Sequence, residues 1–116
     1  MFGKFKTAHL LGITRGNMHR FRLVEEKLTK MGYIVFAPVI YQYDVYLQMP
    51  ELLDDMCYEK LLVCDICVVV TPEHIGKSTT NRIKQAFELG KPVYLWENGS
   101  MVEFTPNMLE ERTLVK

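Results

Sequence analysis

The stretch at residues 65–70, DICVVV, constrains the fold most, because nearly every position in it is apolar. Strands with one solvated face alternate apolar and polar residues, whereas strands of a parallel sheet covered on both faces do not. Such a strand requires helices on both sides of its sheet. The rest of the chain supplies short β-rich runs that alternate with helical stripes of apolar residues. We predict strands at residues 7–14, 33–40, 65–70, 92–96 and 101–104.

Helices are predicted between these strands, at residues 17–31, 50–63 and 79–89, with a short last helix beginning at Pro106. The Asn98-Gly99 dipeptide predicts a hairpin turn and therefore an antiparallel edge strand. On the second helix, the apolar residues Leu52, Leu53, Met56 and Leu61 are predicted to be buried. The order predicts an α/β fold: a three-layer, doubly wound, mainly parallel sheet of the flavodoxin/Rossmann-like kind, with about five strands.

The composition indicates one domain over residues 1–116 and a small ligand rather than a polymer. The chain is 48% hydrophobic, enough for one modest core. Lys plus Arg and Asp plus Glu each number 14, so neither a nucleic acid polymer nor a membrane is an expected partner. The first 24 residues nevertheless carry only basic charges, on Lys4, Lys6, Arg15, Arg20 and Arg22. Such a local positive field favours a small anion.

The three cysteines favour a reducing compartment, in which thiols serve as small core residues. Cys64 and Cys67 have CxxC spacing, but an offset of three along a strand predicts opposite faces, and no second Cys or His pair is near enough in sequence to complete a zinc site. No signal peptide or membrane span is recognisable. We therefore expect a cytoplasmic protein without a metal or cofactor.

In doubly wound sheets, ligands bind beyond the carboxyl ends of the strands, which here means the loops at residues 12–17, 38–50 and 71–79. In the first loop, Gly12 and Gly16 permit close approach of the backbone to a ligand, and Asn17 is a suitable N-cap. Arg15 adds a positive charge. An ordinary strand–helix turn with a surface arginine explains the same residues.

The loop at residues 71–79 enters a helix whose first turn holds Lys77, Ser78 and Thr79, a combination suited to phosphate. The motif nearly matches a P-loop, but Thr71 stands where that motif needs glycine, and no clear acid for magnesium follows. Plain N-capping by Ser78 or Thr79 is the alternative. His74 is the only histidine that this reasoning places near a ligand.

The middle loop is long and rich in tyrosine, which is typical of a functional segment. Tyr41, Tyr43 and Tyr46 are suited to stacking on a base, and Asp44 to bonding hydroxyls. A tyrosine-rich subunit interface is an equally good explanation.

The order of these features resembles the nucleoside 2-deoxyribosyltransferase superfamily, which includes 2′-deoxynucleoside 5′-phosphate N-hydrolase-like proteins. The resemblance spans most of residues 7–97. In the first half it rests on Gly12, Thr14, Asn17, Phe21, Leu28, Gly32, Val35 and Pro38. In the second half it rests on Asp65, Gly76, Ser78, Ile83, Ala86, Gly90, Lys91 and Pro92.

The resemblance implies a glutamate nucleophile on the third helix, an assisting aspartate on the second helix and a phosphate-holding serine, which Ser78 matches. The glutamate position is occupied by Arg82, which cannot act as a carboxylate nucleophile but pairs well with phosphate. The aspartate position is Cys57 in a gapless reading, with Asp54 and Asp55 close by. Members of the superfamily are commonly oligomers, which implies a homodimer or larger homo-oligomer.

Three hypotheses follow from the sequence. The first is a nucleotide-binding protein whose catalysis is altered or lost. The second is an active N-glycosidase or deoxyribosyltransferase that uses another acid: Asp44, Asp54 or Asp55. The third is an interaction module that has kept only the fold. The predicted ligand-binding residues are Gly12, Thr14, Arg15, Gly16, Asn17, Tyr43, His74, Gly76, Lys77, Ser78, Thr79 and Arg82.

Overall fold

A computed structural model describes residues 3–37, 50–71, 73 and 75–113 of the chain. Tyr43, Asp44 and His74, three of the predicted site residues, lie outside these ranges. The strands are β1 (Lys6–Leu11), β2 (Tyr33–Phe36), β3 (Ile66–Val69), β4 (Val93–Glu97) and β5 (Ser100–Glu103). The helices within the described ranges are α1 (Met18–Lys30), α2 (Pro50–Val63), α3 (Lys77–Glu88) and α4 (Pro106–Thr113). The element types and their order confirm the prediction. β1 ends three residues earlier than predicted, and the ends of β3, β4 and β5 differ from the prediction by one residue. Residues 38–40 of the predicted second strand lie outside the described ranges.

The five strands form one sheet in the order β2-β1-β3-β4-β5. β1, β2, β3 and β4 run parallel, and β5 pairs antiparallel with β4. Asn98 and Gly99 connect this last pair with φ angles of 52° and 81°, as a turn with two left-handed central residues requires. The fold is therefore the predicted doubly wound α/β sheet with an edge hairpin.

The sheet separates two hydrophobic cores, which makes the fold three-layered. On one face, Phe21, Val24 and Leu28 of α1 pack on Ala8 and Leu10 of β1 and on β3. On the other face, residues of α2, α3 and α4 share a core with alternate residues of β1, β3 and β4. The second core holds Leu11, Leu61, Cys64, Cys67, Val69, Ile83, Ala86, Val93, Leu95, Phe104 and Leu109.

The buried face of α2 differs from the predicted one. Leu53 and Leu61 are buried as predicted, but Leu52 and Met56 are 48% and 45% exposed. The inward stripe consists of Leu53 and Leu61, which are buried, and Cys57, which is half-buried, at a spacing of four. This spacing turns Leu52 and Met56 away from the sheet. The apolar pattern alone did not distinguish these two faces.

The two CxxC cysteines lie together rather than on opposite faces. Cys64 falls in the connection before β3, so the alternation of a strand does not apply to it. Its sulfur is 3.7 Å from that of Cys67, and both thiols belong to the second core. All three cysteines of the chain are free thiols. Within the described ranges, no three Cys, His, Asp or Glu side chains are arranged to hold a metal ion.

The amino end of β1 is held by a cluster of hydrogen bonds to Asp65. The Thr7 amide donates to Asp65 Oδ2 at 2.7 Å, and the Thr7 hydroxyl donates to the same oxygen at 3.1 Å. The hydroxyl also accepts from the Asp65 amide at 2.9 Å. The Thr7 amide, followed by the hydroxyl, holds the Asp65 pKa below its ordinary value.

Among the described helices, none is both long and apolar enough to cross a bilayer.

Candidate functional site

A pocket of about 140 Å³ opens at the carboxyl end of β1, on the sheet face covered by α2 and α3. Strand order reverses direction between β2-β1 and β3-β4, which is where doubly wound folds place ligands. The wall residues come from β1 and the loop after it, from α2, and from the first two turns of α3. They are His9, Leu10, Leu11, Gly12, Thr14, Leu53, Cys57, Ser78, Thr79 and Arg82.

Gly12 lines the pocket, and no side chain fits at this position. A Cβ on Gly12 would stand 2.7 Å from Thr71 Oγ1, and the φ of 139° is itself unfavourable for other residues. Thr71 is 1% exposed, and its hydroxyl accepts a hydrogen bond from the Ile13 amide at 3.1 Å. Thr71, which interrupts the P-loop motif, thus fixes the path of the loop after β1.

The loop after β1 contributes Gly12 and Thr14 to the pocket wall, but not Arg15, Gly16 or Asn17. Arg15 and Gly16 are exposed. Asn17 occupies the N-cap position of α1, as predicted, without a side-chain capping bond. Its side-chain amide nitrogen Nδ2 instead donates to the carbonyls of Ile13 at 3.1 Å and Arg15 at 3.3 Å. Asn17 therefore shapes the loop rather than the ligand surface.

The start of α3 forms the polar wall. Gly76, not Ser78 or Thr79, is its N-cap residue, and no described side chain caps this helix. The first intrahelical bond runs from the Thr80 amide to the Gly76 carbonyl at 2.9 Å, so the amides of the three preceding residues have no intrahelical acceptor. Those residues are Lys77, Ser78 and Thr79. The helix dipole and these amides favour a bound anion.

Arg82 lies one turn further along α3, with its side chain in the pocket wall and only 13% exposed. Its Nη2 donates to Asp54 Oδ1 of α2, and the Cys57 thiol lies beside it. Burial disfavours the charge, but the Asp54 hydrogen bond and the neighbouring Cys57 more than compensate, so the Arg82 pKa is above its ordinary value. Arg82 is a permanent cation in this wall.

His9 is a pocket residue that the sequence analysis did not predict, since that analysis placed only His74 near a ligand. His9 lies on β1 and is 1% exposed, and its Nδ1 is 3.1 Å from the Phe36 carbonyl. Burial lowers its pKa to about 4. The alternation of Thr7, His9 and Leu11 along β1 was a usable signal: it aims His9 toward the α2 side near the carboxyl end of the strand.

Arg20 of α1 is bonded to the segment that follows β3. Its guanidinium binds both carboxylate oxygens of Glu73, at 2.5 and 3.0 Å, and donates to the Val70 carbonyl at 3.0 Å. Glu73 lies in the loop between β3 and α3. The pair therefore links the helix after β1 to the segment that leads into the phosphate-suited turn.

Five of the predicted binding residues meet in the pocket wall: Gly12, Thr14, Ser78, Thr79 and Arg82. Gly76 and Lys77 adjoin them at the helix start. Asp54 pairs with Arg82 and Asp55 is exposed. Leu53 and Cys57 join the wall from α2 without having been predicted as binding residues.

Fold and site together define a class: a doubly wound α/β protein with an anion-suited pocket at the carboxyl end of its first strand. Comparison of the chain with protein-family models, with curated proteins and with solved structures found no match.

Proposed function

We propose that this protein binds a small phosphate-bearing ligand, a nucleoside monophosphate or nucleotide-derived molecule, in the pocket between α2 and α3. One observation carries the proposal: the start of α3, which no described side chain caps, and the cationic Arg82 border the same pocket at the carboxyl end of β1. Helix-terminal amides and a guanidinium are complementary to a phosphate group.

The proposal favours binding over catalysis because of how Arg82 is held. At the position where the resemblance expects a carboxylate nucleophile, the guanidinium instead engages Asp54, one of the alternative acids. A carboxylate in an ion pair is a weak general base and nucleophile, since the neighbouring cation stabilises its charged form. Arg82 has further N–H donors besides the one engaged by Asp54, and these suit phosphate oxygens.

Isothermal calorimetry tests the proposal with a panel of 5′-monophosphates, the matching nucleosides and inorganic phosphate. Wild-type protein is expected to bind monophosphates more tightly than nucleosides. Arg82→Met is expected to weaken monophosphate binding about 10- to 100-fold, the range for a lost charge-assisted hydrogen bond. Arg22→Met, the same chemical change at an exposed position of α1, is the matched control.

Ser78→Ala is expected to weaken binding of the same monophosphates about fivefold, through loss of one neutral hydrogen bond. Asn81→Ala, an exposed position on the same helix outside the pocket wall, serves as its control. If no member of the panel binds to wild-type protein, the proposed function is wrong.

An active N-glycosidase or deoxyribosyltransferase is the second candidate, favoured by the placement of Asp54 beside the pocket through Arg82. Chromatography of the same panel after incubation detects free base if this activity exists. Asp54→Asn and Asp55→Asn then identify the acid, with Asp44→Asn covering the segment outside the described ranges. Absence of released base from every compound that binds would leave binding as the function.

We propose further that the chain is a cytoplasmic homo-oligomer related to the nucleoside 2-deoxyribosyltransferase superfamily. Three free thiols support a reducing compartment. The exposed face of α2, where Leu52, Met56 and Val63 are 48%, 45% and 51% exposed, supports self-association. Sedimentation of wild-type protein and of Met56→Glu tests the assembly: a wild-type monomer would contradict it.

A further inference from the structure

His9 carries a buried nitrogen that nothing in the described protein satisfies. In the described part of the chain, its Nε2 is one of two buried side-chain polar atoms without a hydrogen-bond partner, the other being Gln85 Oε1. Gln85 is absent from the pocket wall, whereas His9 belongs to it. Buried polar groups are nearly always paired, so an orphan at a pocket points to a ligand group that completes it.

The other ring nitrogen determines what Nε2 can accept. Nδ1 lies 3.1 Å from the Phe36 carbonyl, which only accepts hydrogen bonds, so Nδ1 carries the ring proton. Nε2 therefore carries a lone pair that no described group uses, on a side chain that belongs to the pocket wall.

The His9 imidazole stays uncharged near neutral pH, which keeps Nε2 an acceptor. Burial lowers the His9 pKa to about 4, the Phe36 carbonyl opposes that shift, and the positive charges of Lys60 and Arg82 add to it. The imidazole is therefore neutral at pH 7 and acts as an acceptor. A phosphate or carboxylate oxygen offers it no proton, so the group that faces it must be a hydroxyl or N–H donor.

The pocket size limits what carries that donor. Its volume of about 140 Å³ is close to the roughly 150 Å³ of a cavity that holds one benzene molecule. The described walls thus have room for one ring within the pocket. With a phosphate at the start of α3, the ring attached nearest to it in a nucleoside monophosphate is the pentose.

We infer that His9 Nε2 accepts a hydrogen bond from a pentose hydroxyl of the bound ligand, which makes His9 a specificity residue for hydroxyl-bearing pentose phosphates. The inference rests on the proposed function, because it places the phosphate at α3. Nucleoside monophosphates and free pentose phosphates share this chemistry.

Calorimetry with His9→Leu and His9→Gln tests the inference. His9→Leu is expected to bind ribose 5-phosphate and adenosine monophosphate about tenfold more weakly, which corresponds to one lost hydrogen bond. Its affinity for inorganic phosphate is expected to stay within about twofold of wild type, which also reports an intact α3 site. His9→Gln, which keeps a side-chain acceptor, is expected to recover part of the loss.

Deoxy ligands identify the hydroxyl. Either the 2′-deoxy or the 3′-deoxy form of adenosine monophosphate is expected to lose about tenfold in wild type and to lose nothing further in His9→Leu. Ribose 5-phosphate without the base separates the two ligand sources: comparable binding indicates a free pentose phosphate, and much weaker binding indicates a nucleotide. Equal losses in wild type and His9→Leu for both deoxy forms would overturn the pentose assignment.

The wild-type protein supplies a test that does not depend on a variant folding. In protein labelled with ¹⁵N-histidine, the Nε2 resonance of His9 is expected to shift on addition of ribose 5-phosphate and to stay in place with inorganic phosphate. An unchanged resonance with a bound sugar phosphate would overturn the inference while the proposed function stands. If no phosphate compound binds at all, the proposed function fails, and the inference fails with it.

Discussion

Thr7 and His9 lie two residues apart on the same face of β1, and both are buried, yet they differ in how their polar atoms are satisfied. Asp65 satisfies both the amide and the hydroxyl of Thr7. His9 has one nitrogen bonded to the Phe36 carbonyl and the other orphaned in the pocket wall. The amino end of β1 is thus complete without a ligand, and its carboxyl end is not.

The difference indicates which buried polar residues serve the fold and which serve a ligand. A fully bonded polar group stabilises the folded chain, whereas an unsatisfied one lowers stability and persists where function retains it. Substitutions at the Thr7–Asp65 end should therefore change stability without changing ligand affinity. At the carboxyl end, substitutions should change stability and ligand affinity by independent amounts.

Gly12→Ala is expected to have the largest effect, a loss of about 4 kcal/mol in the free energy of unfolding from backbone strain and overpacking combined. The new Cβ meets Thr71 Oγ1 at 2.7 Å. Urea denaturation measures the loss. Gly16→Ala is the matched control, with φ at 77° but nothing within 4 Å, and should lose only about 1 kcal/mol. Equal losses in the two variants would show that the contact with Thr71 is unimportant.

The second-largest effect is expected from acid, which should lower the free energy of unfolding through His9 at the carboxyl end of β1. The His9 pKa is lowered in the fold to about 4 from an ordinary 6.5, so its contribution is complete above pH 6.5 and is lost as pH falls toward 4. The loss across that window is about 3 kcal/mol by linkage.

Urea denaturation of wild type and His9→Gln between pH 7 and pH 4 measures this loss. The variant cannot titrate at this position, so the difference between the two proteins should change across the window. Parallel pH profiles would show that His9 titrates normally.

At the amino end, Asp65→Asn is expected to cost about 2 kcal/mol, because hydrogen bonds to a charged acceptor are lost. The Asp65 pKa is lowered, so this contribution is present above its ordinary value of 3.8 and disappears as pH falls below it. Denaturation at pH 7 and pH 3 should show the difference shrinking. Ligand affinity at pH 7 is expected to be unchanged. A weakened affinity would contradict the expectation that the amino end of β1 affects stability alone.

The smallest effect is expected from Arg20→Gln, which removes the ion pair between α1 and the loop after β3. The ion pair with Glu73 is partly exposed, with side chains 33% and 59% accessible, so its loss should cost about 1 kcal/mol or less. Thermal unfolding at low and high salt measures it: the difference between wild type and variant should shrink as salt screens the pair. A loss that is unaffected by salt would indicate a packing role for the Arg20 stem instead.

Local patterns were sufficient to predict the elements and their order. The apolar run before residue 70, the helix-start prolines Pro50 and Pro106, and the Asn98-Gly99 turn each act over a few residues. For this reason the edge hairpin and the bounds of α2 were predicted correctly. Thr105 Oγ1 accepts a hydrogen bond from the Met108 amide at 3.3 Å, as expected of the residue that caps α4. The carboxyl-end rule then placed Gly12, Thr14 and the start of α3 at one site.

Only the tertiary structure decided which side chains complete that site. Arg82 meets Asp54 across 28 residues because α2 and α3 pack side by side on one face of the sheet. Cys57 enters the wall because the inward stripe of α2 follows Leu53 and Leu61, which the apolar pattern did not resolve.

His9 looks like an ordinary strand residue in the sequence. Its unpartnered Nε2 arises from the placement of the Phe36 carbonyl and from the pocket between two helices. Periodicity reports how each segment folds. Hydrogen-bond satisfaction in the interior depends on how distant segments meet. At β1 this separates the fully bonded Thr7 from His9, whose Nε2 has no partner among the described residues.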